Sequence, residues 1–308
     1  FWLKHSNGSA LSFRSPCSTV RANLKHQGAA GTGRMFGARR SRASRKQDSE
    51  DRLVALKRKL SEVSKILEEG GAEEAEPVVP GKPAISGPID CQIVKFPDSR
   101  GEIEVIIGTS QHIQVPGLVD RITQIVGEAY SAVGKDKYVD QEDAIDRLEM
   151  GDAGVRANRV LHLAFKNGVL CGCASSTFSP GWTPEGCGHW GLLAVDPAHQ
   201  KGGVATAMVL AAERRLATVS EMIQIEYQYT GDAFSTQLMA WYEDKLGFNG
   251  GPRPRPGQHC FRRAFKQIPE DEQRRGQRRR LVEIQKWLQE ELTQAEAEAR
   301  SADASPAA

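Results

Sequence analysis

The sequence predicts an α/β fold of the α+β type, and three stretches carry that expectation. Met222–Tyr229 reads MIQIEYQY, an alternation with the period of a half-buried strand. Asn167-Gly168 separates two strand-like runs and is the dipeptide preferred in type I′ hairpin turns. LLAV ends at Asp196-Pro197, and after a short Gly-rich loop an amphipathic stretch, TAMVLAAERRL, begins. That is strand, tight loop, helix.

The remaining elements follow in chain order. Residues 103–107 read as the first strand, and 119–133 and Gln141–Met150 as two short helices. Residues 159–178 form the hairpin about Asn167-Gly168, with Leu161, Leu163 and Phe165 alternating on its first run. The loop SPGWTPEG is too rich in Pro and Gly for regular structure. Cys187–Val195 is the next strand, and alternation assigns His189, Gly191, Leu193 and Val195 to one face. Alternation likewise assigns Cys171 and Cys173 to one face. Phe234, Leu238, Trp241 and Lys245/Leu246 fall at helical spacing, and Gly247 stands where a C′ glycine ends a helix. A last strand closes the layout near residue 265.

The two ends differ from this middle. Residues 1–47 hold ten Lys/Arg and no Asp or Glu, the composition of a basic disordered segment or of an organelle transit peptide. Without them the net charge changes from +2 to −8, with 31 basic against 39 acidic groups. Residues 48–69 read as a short amphipathic helix through Leu53, Leu56, Leu60, Val63 and Leu67. Residues 70–88 read as a Pro/Gly linker, 89–268 as the main domain, 269–300 as a charged helix, and 301–308 as a disordered tail. The end helices are expected to lie solvated on the domain; pairing with each other, with another subunit or with a partner is the alternative. The run RRGQRRR at 274–280 lacks aromatic interleaving and is expected to be a solvated helix face, so no nucleic-acid partner is expected. The first residue is Phe rather than Met, as expected of a truncated or processed chain.

No stretch approaches 18 consecutive apolar residues, so no membrane-spanning helix is expected. No C-x-x-C pair or His cluster has zinc-ligand spacing, so no metal is expected. Buried free thiols are expected, consistent with a reducing compartment, cytoplasmic or organellar.

The loop Gln200-Lys201-Gly202-Gly203-Val204-Ala205 is suited to a phosphorylated ligand. First-turn amides have no intrahelical partner, the helix dipole favours negative charge, and glycine permits close approach. A Walker spacing and a G-x-G-x-x-G spacing are both absent. Gln200-x-x-Gly203-x-Ala205 after Leu193-Ala194-Val195-Asp196-Pro197 resembles the acetyl-CoA pyrophosphate loop of the GNAT superfamily of acyl-CoA N-acyltransferases. A helix carrying Tyr242 and closing on Gly247-Phe248 also resembles that family. One departure stands out. The family tyrosine lies four residues before the glycine, whereas Tyr242 lies five before Gly247. The spacing from Ser235 is the usual seven, so the extra residue belongs after Tyr242.

The resemblance implies a mixed, mostly antiparallel sheet flanked by helices. The family's fourth and fifth strands splay apart to admit the cofactor. It implies an acetyl-CoA-dependent N-acetyltransferase, with acetyl-CoA as co-substrate, acting on a primary amine by direct attack in a ternary complex. The backbone of Leu193, Ala194 and Val195 is then assigned to the pantetheine arm, and Gln200, Lys201, Gly202, Gly203, Val204 and Ala205 to the pyrophosphate. Ser235 joins the cofactor-binding residues, and the Val195 N–H polarises the thioester carbonyl. His189 stands where family members carry a basic glutamate, and its ordinary pKa of about 6.5 suits a general base; a structural strand histidine is the alternative. Glu185 and Glu226 are further candidates. Tyr242 is the family-matched acid for the leaving thiolate, with a core tyrosine as the alternative. Trp182, Trp190 and Trp241 are expected to pack core or line the acceptor cleft. The acceptor, small molecule or protein, is not legible; its selectivity is expected in loops 109–140, 178–188 and 249–260. A non-catalytic acyl-CoA-binding or scaffold module is the competing function.

Overall fold

The computed structural model describes residues 42–70, 79–131, 139–255 and 257–304. The expectations for residues 1–41, for 71–78 of the linker and for 305–308 of the tail lie outside the described residues. The elements are α1 (Arg42–Glu69), β1 (Ala84–Ser86), β2 (Cys91–Lys95), β3 (Glu102–Ile107), α2 (Leu118–Ser131), α3 (Gln141–Met150), β4 (Arg159–Lys166), β5 (Val169–Thr177), β6 (Cys187–Val195), α4 (Val204–Leu216), β7 (Met222–Tyr229), α5 (Ala233–Ala240), β8 (Cys260–Gln267) and α6 (Glu270–Ala304). A π-helical turn, Trp241–Lys245, continues α5. The eight strands lie in sequence order in one sheet. Every neighbouring pair is antiparallel except β6 with β7. The mixed, mostly antiparallel sheet flanked by helices is thus present.

Two strands precede the one expected first, and β1 lies inside the segment expected as linker. In β2 the inward positions are Gln92, Val94 and then Phe96. A glutamine in the core hides the alternation. It is accommodated because its amide donates to the Ile89 carbonyl (3.1 Å) and accepts from Arg214 (3.3 Å).

One face of the sheet is covered by α4, whose Val209, Ala212 and Leu216 pack with Trp190, Ile223 and Ile225. The other is covered by α2 and α3, whose Ile122, Ile125 and Leu148 pack with Leu161, Leu163 and Leu192. Two bulges change which residues share a face. Between β4 and β5, Ala164 faces Gly172 and Phe165 faces Leu170, so Cys171 is the extra residue. Cys171 therefore packs on the α4 side and Cys173 among the α2/α3 residues. The expectation that both thiols share a face is overturned by that one inserted position. Both are buried and free.

The second bulge lies in β6, where Leu192 adopts a left-handed φ of 51°. Cys173 faces Ala194 and Ser175 faces Gly191, so β6 carries one residue more than β5 over this span. Trp190 packs on the α4 side, whereas Leu192 and Ala194 pack on the α2/α3 side. Leu193 and Val195 return to the α4 side. A Cβ on Gly191 would stand 2.9 Å from the His189 ring, so those two share a face. The single-face expectation for His189, Gly191, Leu193 and Val195 is therefore corrected: the bulge divides it after Gly191.

The end helices pair with each other rather than lying solvated. α1 and α6 run antiparallel through Leu56, Leu288, Leu292 and Ala295, with Leu53, Leu60 and Trp287 against them. Arg52 bridges to Glu291 at 2.9 Å and Lys57 to Glu296 at 3.1 Å. These exposed pairs set register more than stability. The arginine run is not a solvated face either. Arg278 donates to the Leu67 carbonyl (3.1 Å), Arg279 to Glu272 (3.1 Å), and Arg280 lies over the Phe178 ring. Among the described residues no helix is long and apolar enough to cross a membrane, and no group of His, Cys, Asp and Glu is arranged to hold a metal.

Candidate active site

The site is built where β6 and β7 part. Their parallel pairing covers Cys187–Met222, Gly188–Ile223 and His189–Gln224 and goes no further, although β6 continues to Val195 and β7 to Tyr229. A gap opens between them. The Asp196 N–H donates to the Cys171 carbonyl across β5 (2.9 Å). Successive amides of an extended chain alternate sides, so the Val195 N–H faces the gap.

After β6 the chain is clamped by Asp196. Its carboxylate accepts from the Ala198 N–H (3.0 Å), meets His199 Nδ1 (3.1 Å) and pairs with Arg121 of α2. Burial opposes its ionisation, but these three partners prevail and hold its pKa below the usual value. The loop then turns through two left-handed residues, Lys201 at φ 62° and Gly203 at φ 88°. Gly203 is the N-cap of α4 and offers no side-chain cap, which leaves the first-turn amides open. A Cβ on Gly203 would stand 2.7 Å from the Phe96 ring. The glycine is thus required by the protein's own packing as well as by its backbone angle.

A cleft of about 220 Å³ lies against this loop. It is lined by residues 199–201 and 203–206 together with Val195, Arg100 and Trp241. Of the residues expected to bind cofactor, Val195, Gln200, Lys201, Gly203, Val204 and Ala205 meet here. Gly202 lies in the loop between them, with Lys166 Nζ 3.9 Å from its Cβ position. Leu193 is half-buried between the two α4-side clusters and Ala194 is buried among the α2/α3 residues. Ser235 is not brought to the cleft: it is buried, its N–H donates to Asp232 Oδ1 (2.6 Å) and its hydroxyl to the Asp232 carbonyl (3.2 Å). Those bonds cap α5. Sequence reasoning missed Phe96 and Arg100, which come from the β2–β3 turn and carry no motif.

Tyr242 sits in the π turn. Its ring lies 5.0 Å from Tyr227, 5.2 Å from Trp241 and 5.8 Å from Trp190. Trp241, its chain neighbour, reaches the cleft while Tyr242 is buried one layer below. The Leu246 N–H donates to the Trp241 carbonyl (3.0 Å), a five-residue turn that absorbs the extra residue after Tyr242. Burial, and then the neighbouring Tyr227, push the phenol pKa up, so it stays protonated through the physiological range.

On the α2/α3 face, His189 lies in register with Thr177 on β5 and Gln224 on β7. Trp182 meets its ring edge-on at 5.7 Å. Burial, helped by the Arg159 charge, pulls its pKa down to about 3. The ring is neutral at neutral pH and a weaker base than a solvated imidazole. Glu226, next on this face of β7, accepts from Gln224 (3.0 Å) and Arg263 (2.9 Å). Glu185 is exposed.

The acetyltransferase (GNAT) family model matches residues 119–248. No curated protein matches the chain. Among solved structures, an N-acetyltransferase from Staphylococcus aureus Mu50 is 13% identical, with 54% of this chain and 98% of that one covered and a TM-score of 0.40. The paiA N-acetyltransferase of Thermoplasma acidophilum, in complex with coenzyme A, is 12% identical over 54% of this chain and 99% of that one, with a TM-score of 0.39. The yncA structure from Salmonella typhimurium, with its cofactor acetyl-CoA, is 19% identical over 55% and 95%, with a TM-score of 0.37. From the family match over 119–248 and a mostly antiparallel sheet that parts beside a Gly-rich helix start, the chain carries an acetyltransferase domain of the GNAT family.

Proposed function

We propose that this domain transfers the acetyl group of acetyl-CoA to a primary amine, by direct attack within a ternary complex. The observation that carries this reading is the parting of β6 from β7 beyond His189 and Gln224, beside the loop that ends in left-handed Gly203. The open first-turn amides of α4 fit a pyrophosphate. The free edge of β6, at Leu193, Ala194 and Val195, fits an extended pantetheine arm. Acetyl-CoA, when bound, supplies the activated thioester.

This chain's residues have separate tasks. The Val195 N–H is the donor for the charge that develops on the acyl oxygen. Tyr242, kept protonated by burial, is the acid that gives a proton to the departing thiolate. His189, kept neutral, accepts from the incoming amine on the α2/α3 face, and Glu226 is the second acceptor on that face. The Brønsted match is poor for an imidazole held at about 3. That mismatch favours the competing reading, a domain that binds acyl-CoA without turning it over. Thiol release from acetyl-CoA over a panel of polyamines, aminoglycosides, lysine peptides and N-terminal peptides separates the two. Amine-dependent release supports transfer. Firm acetyl-CoA binding with an intact thioester across the panel supports the binding module.

A further inference from the structure

The loop at 178–187 borders His189. Its Trp182 meets the His189 ring edge-on at 5.7 Å, and Arg159 lies over the Trp182 ring. The Thr183 hydroxyl is shared between the carbonyls of Pro180 (3.1 Å) and Cys187 (2.9 Å), which fixes the loop's shape. Its place on the domain is set by other contacts. Asn158 holds the first end: its carbonyl accepts from the Phe178 N–H (2.9 Å) and its Oδ1 from the Ser179 N–H (3.1 Å). The turn at 217–221, which follows α4, reaches both ends. The Glu221 N–H donates to the Gly186 carbonyl (3.0 Å), and Ser220 Oγ lies 3.5 Å from the Phe178 carbonyl.

That turn rests against α6. Gly276 is buried, and a Cβ there would fall on the Ala217 carbonyl and stand 2.9 Å from the Thr218 nitrogen. Glycine weakens a helix relative to alanine, so its place within the 35 residues of α6 calls for a packing reason. Contact with the backbone of the turn is that reason. One helical turn later, Arg280 lies over the Phe178 ring at 5.4 Å, the ring that Arg215 of α4 meets at 3.8 Å. The Ile268 N–H, just before α6, donates to the Glu221 carbonyl (2.9 Å). α6 thus touches the turn at Gly276 and the start of the loop at Arg280. Both residues lie outside 119–248. Backbone packed on backbone has little room to yield, so a displacement of α6 passes to the turn and from there to the loop.

We propose that Gly276 and Arg280 are positioning residues for the amine. Through Phe178 and the turn at 217–221 they hold Trp182 against His189, and they leave acetyl-CoA binding alone. The assignment deepens the transfer reading above and rests on it.

Hydrogen exchange of the full chain, read by mass spectrometry, tests the assignment together with thiol release over the amine panel. Gly276→Ala favours the helix by propensity yet forces it off the turn. It is expected to speed exchange over 178–187 by about tenfold and to leave 199–206 unchanged. Arg280→Ala should act in the same direction, and Arg280→Lys, which keeps a cation at the ring, should recover most of the loss. In both damaging variants the amine KM is expected to rise about tenfold while the acetyl-CoA KM stays at its wild-type value. Leu292→Asp, farther along α6, should change neither. Wild-type exchange over 178–187 in both Gly276→Ala and Arg280→Ala overturns the assignment. So does faster exchange spread over the whole domain, or an acetyl-CoA KM that rises with that of the amine. A wild-type chain that releases no thiol with any panel amine removes the transfer reading instead. Faster exchange confined to 178–187 in its variants would then retain the hold on Trp182 and remove only its service to an amine.

Discussion

Glu243 and Arg262 meet in a buried bidentate pair, with Nη2 2.7 Å from Oε1 and 3.0 Å from Oε2. Arg262 Nε adds a third bond to Oε1 at 2.9 Å, and the Tyr227 hydroxyl donates to the same carboxylate. The pair fastens the π turn to β8. Because that turn has five residues, Tyr242 and Glu243 both reach inward from adjacent positions.

Breaking the pair from one side strands a charge. Glu243→Ala is expected to cost about 3 kcal/mol in urea unfolding, since Arg262 would stay buried without its carboxylate. A loss below about 1 kcal/mol would show that the turn holds without it.

Tyr242→Phe is expected to lower turnover about a hundredfold, with acetyl-CoA affinity unchanged. The raised phenol pKa adds a pH signature. The acid is protonated at working pH, so wild-type kcat is expected not to decline up to about pH 10 from this group. Wild-type turnover by the Phe variant at every pH removes the role.

His162 predicts acid sensitivity of the fold. It is fully buried, its Nε2 lies 2.8 Å from Ser176 Oγ, and burial followed by the Arg215 charge pulls its pKa down to about 3. The unfolded ring titrates near 6.5, so between pH 6.5 and about 3 the unfolded chain binds a proton that the folded one refuses. Stability is therefore full above pH 6.5 and falls as pH drops, by up to about 2 kcal/mol at pH 5 from this residue. Urea midpoints from pH 7.5 to 5 for wild type and His162→Gln check this. Parallel pH slopes for the two proteins would contradict it.

The terminal hairpin is expected to be separable from the site. Leu292→Asp places a charge among Leu56, Leu288 and Ala295 and should cost the α1/α6 pairing about 2–4 kcal/mol. Trp287 fluorescence and helical ellipticity should fall while coenzyme A binding is retained. Parallel loss of binding would show that the hairpin supports the cleft.

The sheet, the hairpin at Asn167-Gly168 and the loop ending at Gly203 were legible because period-two alternation and glycine conformation are local properties. The bulges were not. One left-handed Leu192 moves every residue after it to the other face, and no residue type announces it. β2 was hidden by the buried Gln92, two of whose partners, Arg214 and the Ala211 carbonyl, are remote in sequence. The position of Tyr242 five residues before Gly247 did signal an inserted residue, and the π turn is its form. The pairing of α1 with α6 depends on contacts across most of the chain, so the apolar stripes were visible but not their partner. Arg100 and Phe96 were overlooked for the same reason, as their importance comes only from contact with Gly203 and its cleft.

Binding of an acyl-CoA in the gap between β6 and β7 can be read from a thermal shift of the full chain. The chain would be heated with acetyl-CoA, coenzyme A, ATP or NAD at equal concentration. Binding to the folded state raises apparent stability by about 2.7 kcal/mol at a hundred times Kd. A clear rise is expected with the two coenzyme A species and none with NAD. No rise with either coenzyme A species, in a chain that melts cooperatively, would contradict it.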